Sequence, residues 1–277
     1  MSRSAVVLKI VFVLLLGVIP LFGGGVKLYY KLKPAQTWVC SLSSKNEFSF
    51  MGEKNIDRAK RVFVYKISKG KKRGWVSITA HIKPSIKDKE SGMDMSRMSF
   101  KADMHKSGEL RHIKYSGNPM MVQQSAEMPP EMKAMMDQQG KMIGEMYKNA
   151  VFWFPELPEE TLQIGDEFDV QRALGTGGSG MQTKTLVRQV FTLENINKGL
   201  AYFSVKQKSL TKTKSKIAGK SETKMSGKGE AIFDLKAGMW LEVTEKSKAK
   251  IKMSGMGGMG DMSSDMKIVS KYEMELR

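Results

Sequence analysis

Met253, Met256, Met259 and Met262 recur at every third residue through a glycine-rich stretch, and Met266 follows. A thioether is a soft, neutral ligand able to hold Cu(I) in an oxidising compartment, and a pliable loop can gather several sulfurs round one ion. The competing reading makes this stretch a hairpin tip whose sulfurs touch apolar surface. The chain uses methionine freely, with 23 in 277 residues, among them Met93, Met95, Met98, Met120 and Met121, where no such spacing applies. No histidine lies near the loop to complete a mixed ligand set.

Other residue types offer less chemistry. His81, His105 and His112 fall in predicted strands without the serine, aspartate or cysteine partners that a nucleophilic triad uses. Glu156, Glu159, Glu160, Asp166 and Glu167 are acids in or after a proline-rich loop, and nothing places them across a substrate. Gly175 to Gly180 lacks the Lys-Ser/Thr of a phosphate loop and reads as a flexible linker. A single cysteine, Cys40, excludes an intrachain disulfide and every multi-cysteine zinc site. The expectation is a non-enzymatic protein without a cofactor.

Charge points to partners. The chain carries +18, and residues 206–252 hold thirteen lysines against five acids with no arginine. Nucleic-acid readers mix arginine and aromatics into such a surface, so the expected partner is not nucleic acid but an anionic membrane surface, or an envelope lipid or lipoprotein. A solvated lysine face that blunts sheet edges is the alternative.

The elements that position these residues have a period of two. Arg61 to Lys69, Gly74 to Lys83, Met98 to Met104, Thr183 to Leu193 and Leu200 to Lys206 are rich in Val, Ile, Phe, Tyr and Thr and read as strands. In the last pair Leu241, Val243, Ala249, Ile251 and Met253 share one parity, and lysines with Glu242 and Thr244 share the other. Glu245 and Ser247 interrupt the dry parity, which predicts partial burial or a bend there. Met266, Ile268, Ser270, Tyr272, Met274 and Leu276 continue the pattern, so the stretch from Ser254 to Ser264 closes a hairpin. Two Lys-small-Gly turns, at Lys106 to Gly108 and Lys236 to Gly238, hint at two half-sheets of related design.

One helix, at about 129–148, lies between the halves. Pro129 and Pro130 suit a first turn, where the missing donor is not needed. Met132, Met135, Met136, Met142, Ile143 and Met146 fall on one arc of the helix opposite its charges. That face either packs on the sheet or covers an apolar ligand. Gly140 and Gly144 at its edge predict close contact or motion. The fold class is therefore mainly β: a curled antiparallel sheet or half-barrel with one amphipathic helix packed on it.

Phe154, Pro155, Glu156, Leu157 and Pro158, then Ile164, Gly165 and Asp166 with Phe168 two residues on, resemble a signature of uncharacterised exported bacterial β-proteins. The resemblance extends in layout over residues 95 to 277 and includes Gly229, Glu230, Phe233, Asp234 and Gly238; Phe168 stands where tryptophan is commoner. In outline the chain is also similar to the LolA, LolB and LppX lipoprotein or lipid carriers, a fold-level analogy. It implies a curled sheet with a helical lid and an acyl chain as ligand.

The N-terminus gives an address. Ile10 to Ile19 is an apolar run behind Arg3 and Lys9, with Gly23 and Gly25 where a peptidase takes small residues. The reading is an export signal cleaved after Gly25, or an anchor prolonged through Val26 to Tyr30 with tyrosines at the interface. Residues 1–33 form this segment and 34–277 the β domain, in the periplasm or on the outer face of the inner membrane. With 41% apolar and 27% charged residues the bulk is neither a polytopic membrane protein nor a disordered tail. Three roles stay open: a lipid or acyl-chain binder, a Cu(I) binder, or a structural envelope component without a small ligand.

Overall fold

The computed structural model describes residues 25–50, 53–84, 93–120, 129–178, 181–215, 219–254 and 262–277. In chain order the elements are β1 (Val26–Lys27), β2 (Thr37–Phe50), β3 (Glu53–Lys69), β4 (Trp75–Ile82), β5 (Ser99–His105), β6 (Leu110–Ser116), α1 (Pro130–Val151), β7 (Thr161–Leu162), β8 (Glu167–Gly178), β9 (Met181–Asn197), β10 (Leu200–Ser215), β11 (Gly219–Asp234), β12 (Met239–Ser254) and β13 (Met262–Leu276). All pairings are antiparallel, and eleven strands form one sheet in the order β6-β5-β4-β3-β2-β13-β12-β11-β10-β9-β8. The expected curled antiparallel sheet with one helix is the fold.

The sheet is continuous: the meanders β2 to β6 and β8 to β13 are joined by the pairing of β2 with β13. This order is that of an up-and-down barrel broken between β6 and β8, and α1 follows β6 in the chain at that break. The helix touches both edge strands and so occupies the seam. Its approach is made through glycine. Gly144 lies against the Tyr115 ring and Gly140 against Asn118, where an added Cβ would collide with each. Of the two readings of these glycines, close contact is the one observed.

Several strands run 16 or 17 residues, roughly 50 Å of extended chain at 3.3 Å per residue. Among the described residues the buried aromatic side chains gather at one end of them. There Trp38, Tyr65, Phe100, Phe191, Phe203, Phe233 and Trp240 are buried together, with edge-to-face contacts such as Phe233 to Trp240 at 5.1 Å and Tyr65 to Phe154 at 5.4 Å. Two segments stopper this end. Phe152, Phe154 and Leu157 of the proline-rich segment enter the core, and Leu28 and Tyr30 come from the N-terminal side.

The N-terminal stopper ties the two look-alike turns together. Tyr30 N donates to Lys106 O at 2.8 Å, and Lys31 N donates to Gly238 O at 3.2 Å. Both turn glycines have positive φ, Gly108 at 93° and Gly238 at 64°, a region that costs other residues strain. Residues 26 to 33 therefore belong to the folded domain, which begins before residue 34. With Tyr30 inside the protein, Val26 to Tyr30 is not a prolongation of a membrane span. Among the described residues no helix is long and apolar enough to cross a membrane; Ile10 to Ile19 lies outside them.

The strands outrun their sequence signals. β10 continues past Lys206 to Ser215, and Gly175 to Gly178, expected as linker, belong to β8, with Gly175 opposite Lys184. At these ends both faces are polar, so hydropathy shows no alternation, and only pairing with neighbours defines the strand.

Candidate functional site

Beyond the aromatic core the inner face of the sheet changes character row by row. The first row out places Phe191, Val205, Gly229 and Glu245 in register, and the next places Gln189, Gln207, Gly227 and Ser247. Gln189, Gln207, Glu245 and Ser247 are buried. The sequence pattern led us to expect partial burial or a bend at Glu245. The carboxyl is instead buried outright, because its neighbours are built to receive it. Gln189 Nε2 donates to Glu245 Oε1 at 2.8 Å and to Gln207 Oε1 at 2.8 Å. Turning the Gln207 amide end for end brings its nitrogen 2.9 and 3.1 Å from the two Glu245 oxygens. Burial raises the carboxyl's pKa, partly offset by the Gln189 hydrogen bond.

Glycines make room for this cluster. Gly229 and Gly227 stand opposite Glu245 and Ser247 on the adjacent strand, and a Cβ on either would run into β12: Thr244 O in the first case, the Ser247 side chain in the second. Close backbone approach at paired glycines lets a sheet curl sharply.

Beside the cluster, Trp153 stacks on Tyr272 with centroids 4.9 Å apart and planes 15° apart. Burial pushes the Tyr272 phenol upward, and the Glu245 carboxylate adds to the effect. Arg172 donates to the carbonyl of Phe154; burial lowers its pKa, opposed by Tyr30 and Glu156.

One row further out, Arg172, Val187, Ser209, Met225, Ala249 and Met266 form a continuous line across six strands. A cavity of about 1270 Å³ lies along this line and is lined by all six and, in larger number, by residues of the opposite parity, among them Leu186, Leu210, Lys224, Lys248, Lys250 and Lys267. Ligand pockets commonly run to several hundred cubic ångströms. The lining is amphipathic and cationic: Arg172, Arg188 and six lysines outnumber Glu222 and Asp265, with aliphatic and thioether groups among them.

The residues singled out from sequence are distributed differently. On the helix, Met132 is 48% exposed, Met136 is half-buried and Ile143 packs against the core. The side chains of Met135, Met142 and Met146 lie outside the described residues. Among the described residues no helix side chain lines the large cavity. Of the methionine loop, Met266 lines that cavity, and Met253 is register partner of Met262 at the hairpin end; Met256 and Met259 lie outside the described residues. Among the described residues no three His, Cys, Asp or Glu side chains form a metal-holding group. His105 lies tilted against the Trp75 ring, with centroids 5.3 Å apart, and His112 bonds Asp103 at 3.0 Å.

Gln189, Gln207 and Arg172 carried no signal as isolated residues. Each is a polar position in a strand whose parity is otherwise dry, and that break of parity is the sign that could have found them.

These features define an open, curled antiparallel β-protein, stoppered at one end and seamed by a helix. The chain matches no protein-family model and no curated protein. Among solved structures it is similar to Neisserial surface protein A, at 6% identity over 86% of this chain and 96% of that one with a TM-score of 0.22. It is also similar to Ail, the attachment invasion locus protein of Yersinia pestis, at 7% identity over 88% and 100% with 0.20. The anion-selective porin from Comamonas acidovorans shows 10% identity over 88% and 100% with 0.30. Superpositions this loose carry no functional argument.

Proposed function

We propose that this chain is an exported, non-enzymatic envelope protein that holds an amphiphile, a lipid or the acyl chain of a lipoprotein, in the open trough of its sheet. The observation that carries the reading is the row from Arg172 to Met266 with its cavity of about 1270 Å³. Val187, Met225, Ala249 and Met266 offer apolar contact to a chain, while Arg172 and Ser209 offer polar contact to a head. The stoppered end, where Tyr30, Phe154 and Trp240 are buried, prevents the trough from being a through-channel. Export is supported by the charged and apolar N-terminal sequence, with Gly23 and Gly25 where a peptidase takes small residues. The binding wall in this reading is the sheet beyond the core.

The test is extraction of the purified full chain and mass spectrometry of what comes with it, beside the variant Ala249→Trp, which fills the trough. Lipid in near-stoichiometric amount with the wild type, and much less with the variant, supports the reading. Equal lipid on both proteins, or none on either, removes it.

A second reading, Cu(I) binding, draws support from the register that sets Met253 opposite Met262 at the mouth of the methionine loop. Titration with Cu(I) of the wild type and of a variant with Met253, Met256, Met259, Met262 and Met266 changed to leucine decides it. Equal affinity ends the idea.

A further inference from the structure

The lysines that border the cavity continue beyond it in rows on the outward parity of the same strands. Strand register places Lys206, Lys228 and Lys246 in one row across β10, β11 and β12. Lys224 stands opposite Lys250, Lys248 opposite Lys267, and Lys214 opposite Lys220. Directly opposed like charges, with Cβ atoms about 5 Å apart, destabilise a sheet. Acids relieve only some of them: Lys206 pairs with Glu167, and Asp265 stands in register opposite Lys250. Glu222 pairs with Lys212 and Lys224 and Glu47 with Lys45 and Lys54, while Lys228, Lys246, Lys248, Lys250 and Lys267 have no ion pair among the described residues.

Protection of sheet edges does not account for these lysines, because β10 to β13 are interior strands of the order. Apolar side chains stand exposed among them: Leu186, beside Leu210, is 58% exposed and Val269, beside Lys246, is 42% exposed. No aromatic residue occurs in these rows for a nucleic-acid base to stack on. Cationic rows with interspersed aliphatic groups fit a surface that offers both phosphate and hydrocarbon.

We propose that the outer face of β9 to β13 docks on an anionic lipid bilayer, with the unpaired lysines on headgroup phosphates and Leu186, Leu210 and Val269 toward the acyl boundary. Docked this way, Lys228, Lys246, Lys248 and Lys267 gain the counter-charges that they lack among the described residues.

The experiment compares the full chain with Lys228→Gln/Lys246→Gln/Lys250→Gln in co-sedimentation with two kinds of vesicle, pure phosphatidylcholine and phosphatidylcholine containing phosphatidylglycerol. The N-terminal segment, with Arg3 and Lys9, is common to both proteins, so the difference in anionic preference between wild type and variant isolates the three lysines. That preference should fall by about fivefold per lysine removed, roughly a hundredfold for three, and salt should weaken the wild type more than the variant. Leu186→Ser should weaken vesicle binding as well. The triple variant should melt no lower than the wild type, since it removes repulsion, which separates lost docking from lost folding. An unchanged anionic preference in the triple variant, equal wild-type binding to both vesicles, or duplex DNA displacing the protein from the vesicles would each overturn the proposal.

Discussion

The Tyr30 hydroxyl links residues from three distant parts of the chain. Trp240 Nε1 donates to it at 3.0 Å, and it donates to Pro155 O at 2.9 Å. The phenol's pKa is driven up by burial, so it stays neutral and keeps both roles. Tyr30→Phe leaves a buried indole N–H and a buried carbonyl without their partner and should cost about 1–3 kcal/mol. Urea unfolding of Tyr30→Phe, Trp240→Phe and the double variant measures this. The double variant should cost less than the two single costs together, because the interaction is counted in both.

Gly229 is required for close packing rather than for a turn. Gly229→Ala brings a methyl group against the Thr244 carbonyl and should destabilise by about 1–3 kcal/mol, the range for overpacking. Gly175→Ala is the control, because its Cβ would meet nothing closer than Thr183 O at 4.0 Å. Thermal melting of the two variants should separate them clearly, with Gly175→Ala at or above the wild-type midpoint. Equal melting temperatures would contradict the close approach.

Glu245 makes stability depend on pH in a particular direction. Its folded-state pKa is raised by burial, so from the unfolded value near 4.3 up to the raised value the native state keeps a proton that the unfolded chain has lost. Linkage then lowers stability as pH rises through that window. Glu245→Gln keeps the shape and removes the titration. It should melt higher than the wild type at neutral pH and about equally at pH values near 4. A difference of the same size at both values would show that the carboxyl is not titrating.

Cys40 offers a reporter of unfolding. It is 2% exposed, and burial pushes its thiol up to about 12, leaving almost no thiolate at neutral pH. Alkylation by iodoacetamide should be undetectable in native buffer and should follow the urea transition. Rapid labelling of the native protein would mean that the strand around Cys40 opens locally.

Much of the fold was legible because alternation is a local property. Val243 and Ala249 on one parity and Lys246 and Lys248 on the other follow from the period-two geometry of a strand, whatever lies beside it. Pro130 at the start of α1, Gly165 before β8 and Gly238 at the β11–β12 turn are likewise decided within a few residues by backbone freedom. The polar outer halves were not legible in this way, since Lys208 to Ser215 and Gly175 to Gly178 have no dry side to reveal the period.

The amino-acid sequence by itself determined which segments become strands, where the helix begins and which side chains share a face. It did not determine which strand neighbours which. The meeting of Gln189 with Glu245, 56 residues apart, the placing of Lys206, Lys228 and Lys246 side by side, and the entry of Tyr30 beneath Trp240 all came from tertiary structure. The physical reason is register. A slip of one residue between two strands would turn a whole row to the other side of the sheet, and that choice is made by the packing of the aromatic core and the glycine contacts on β11, not by any one segment alone.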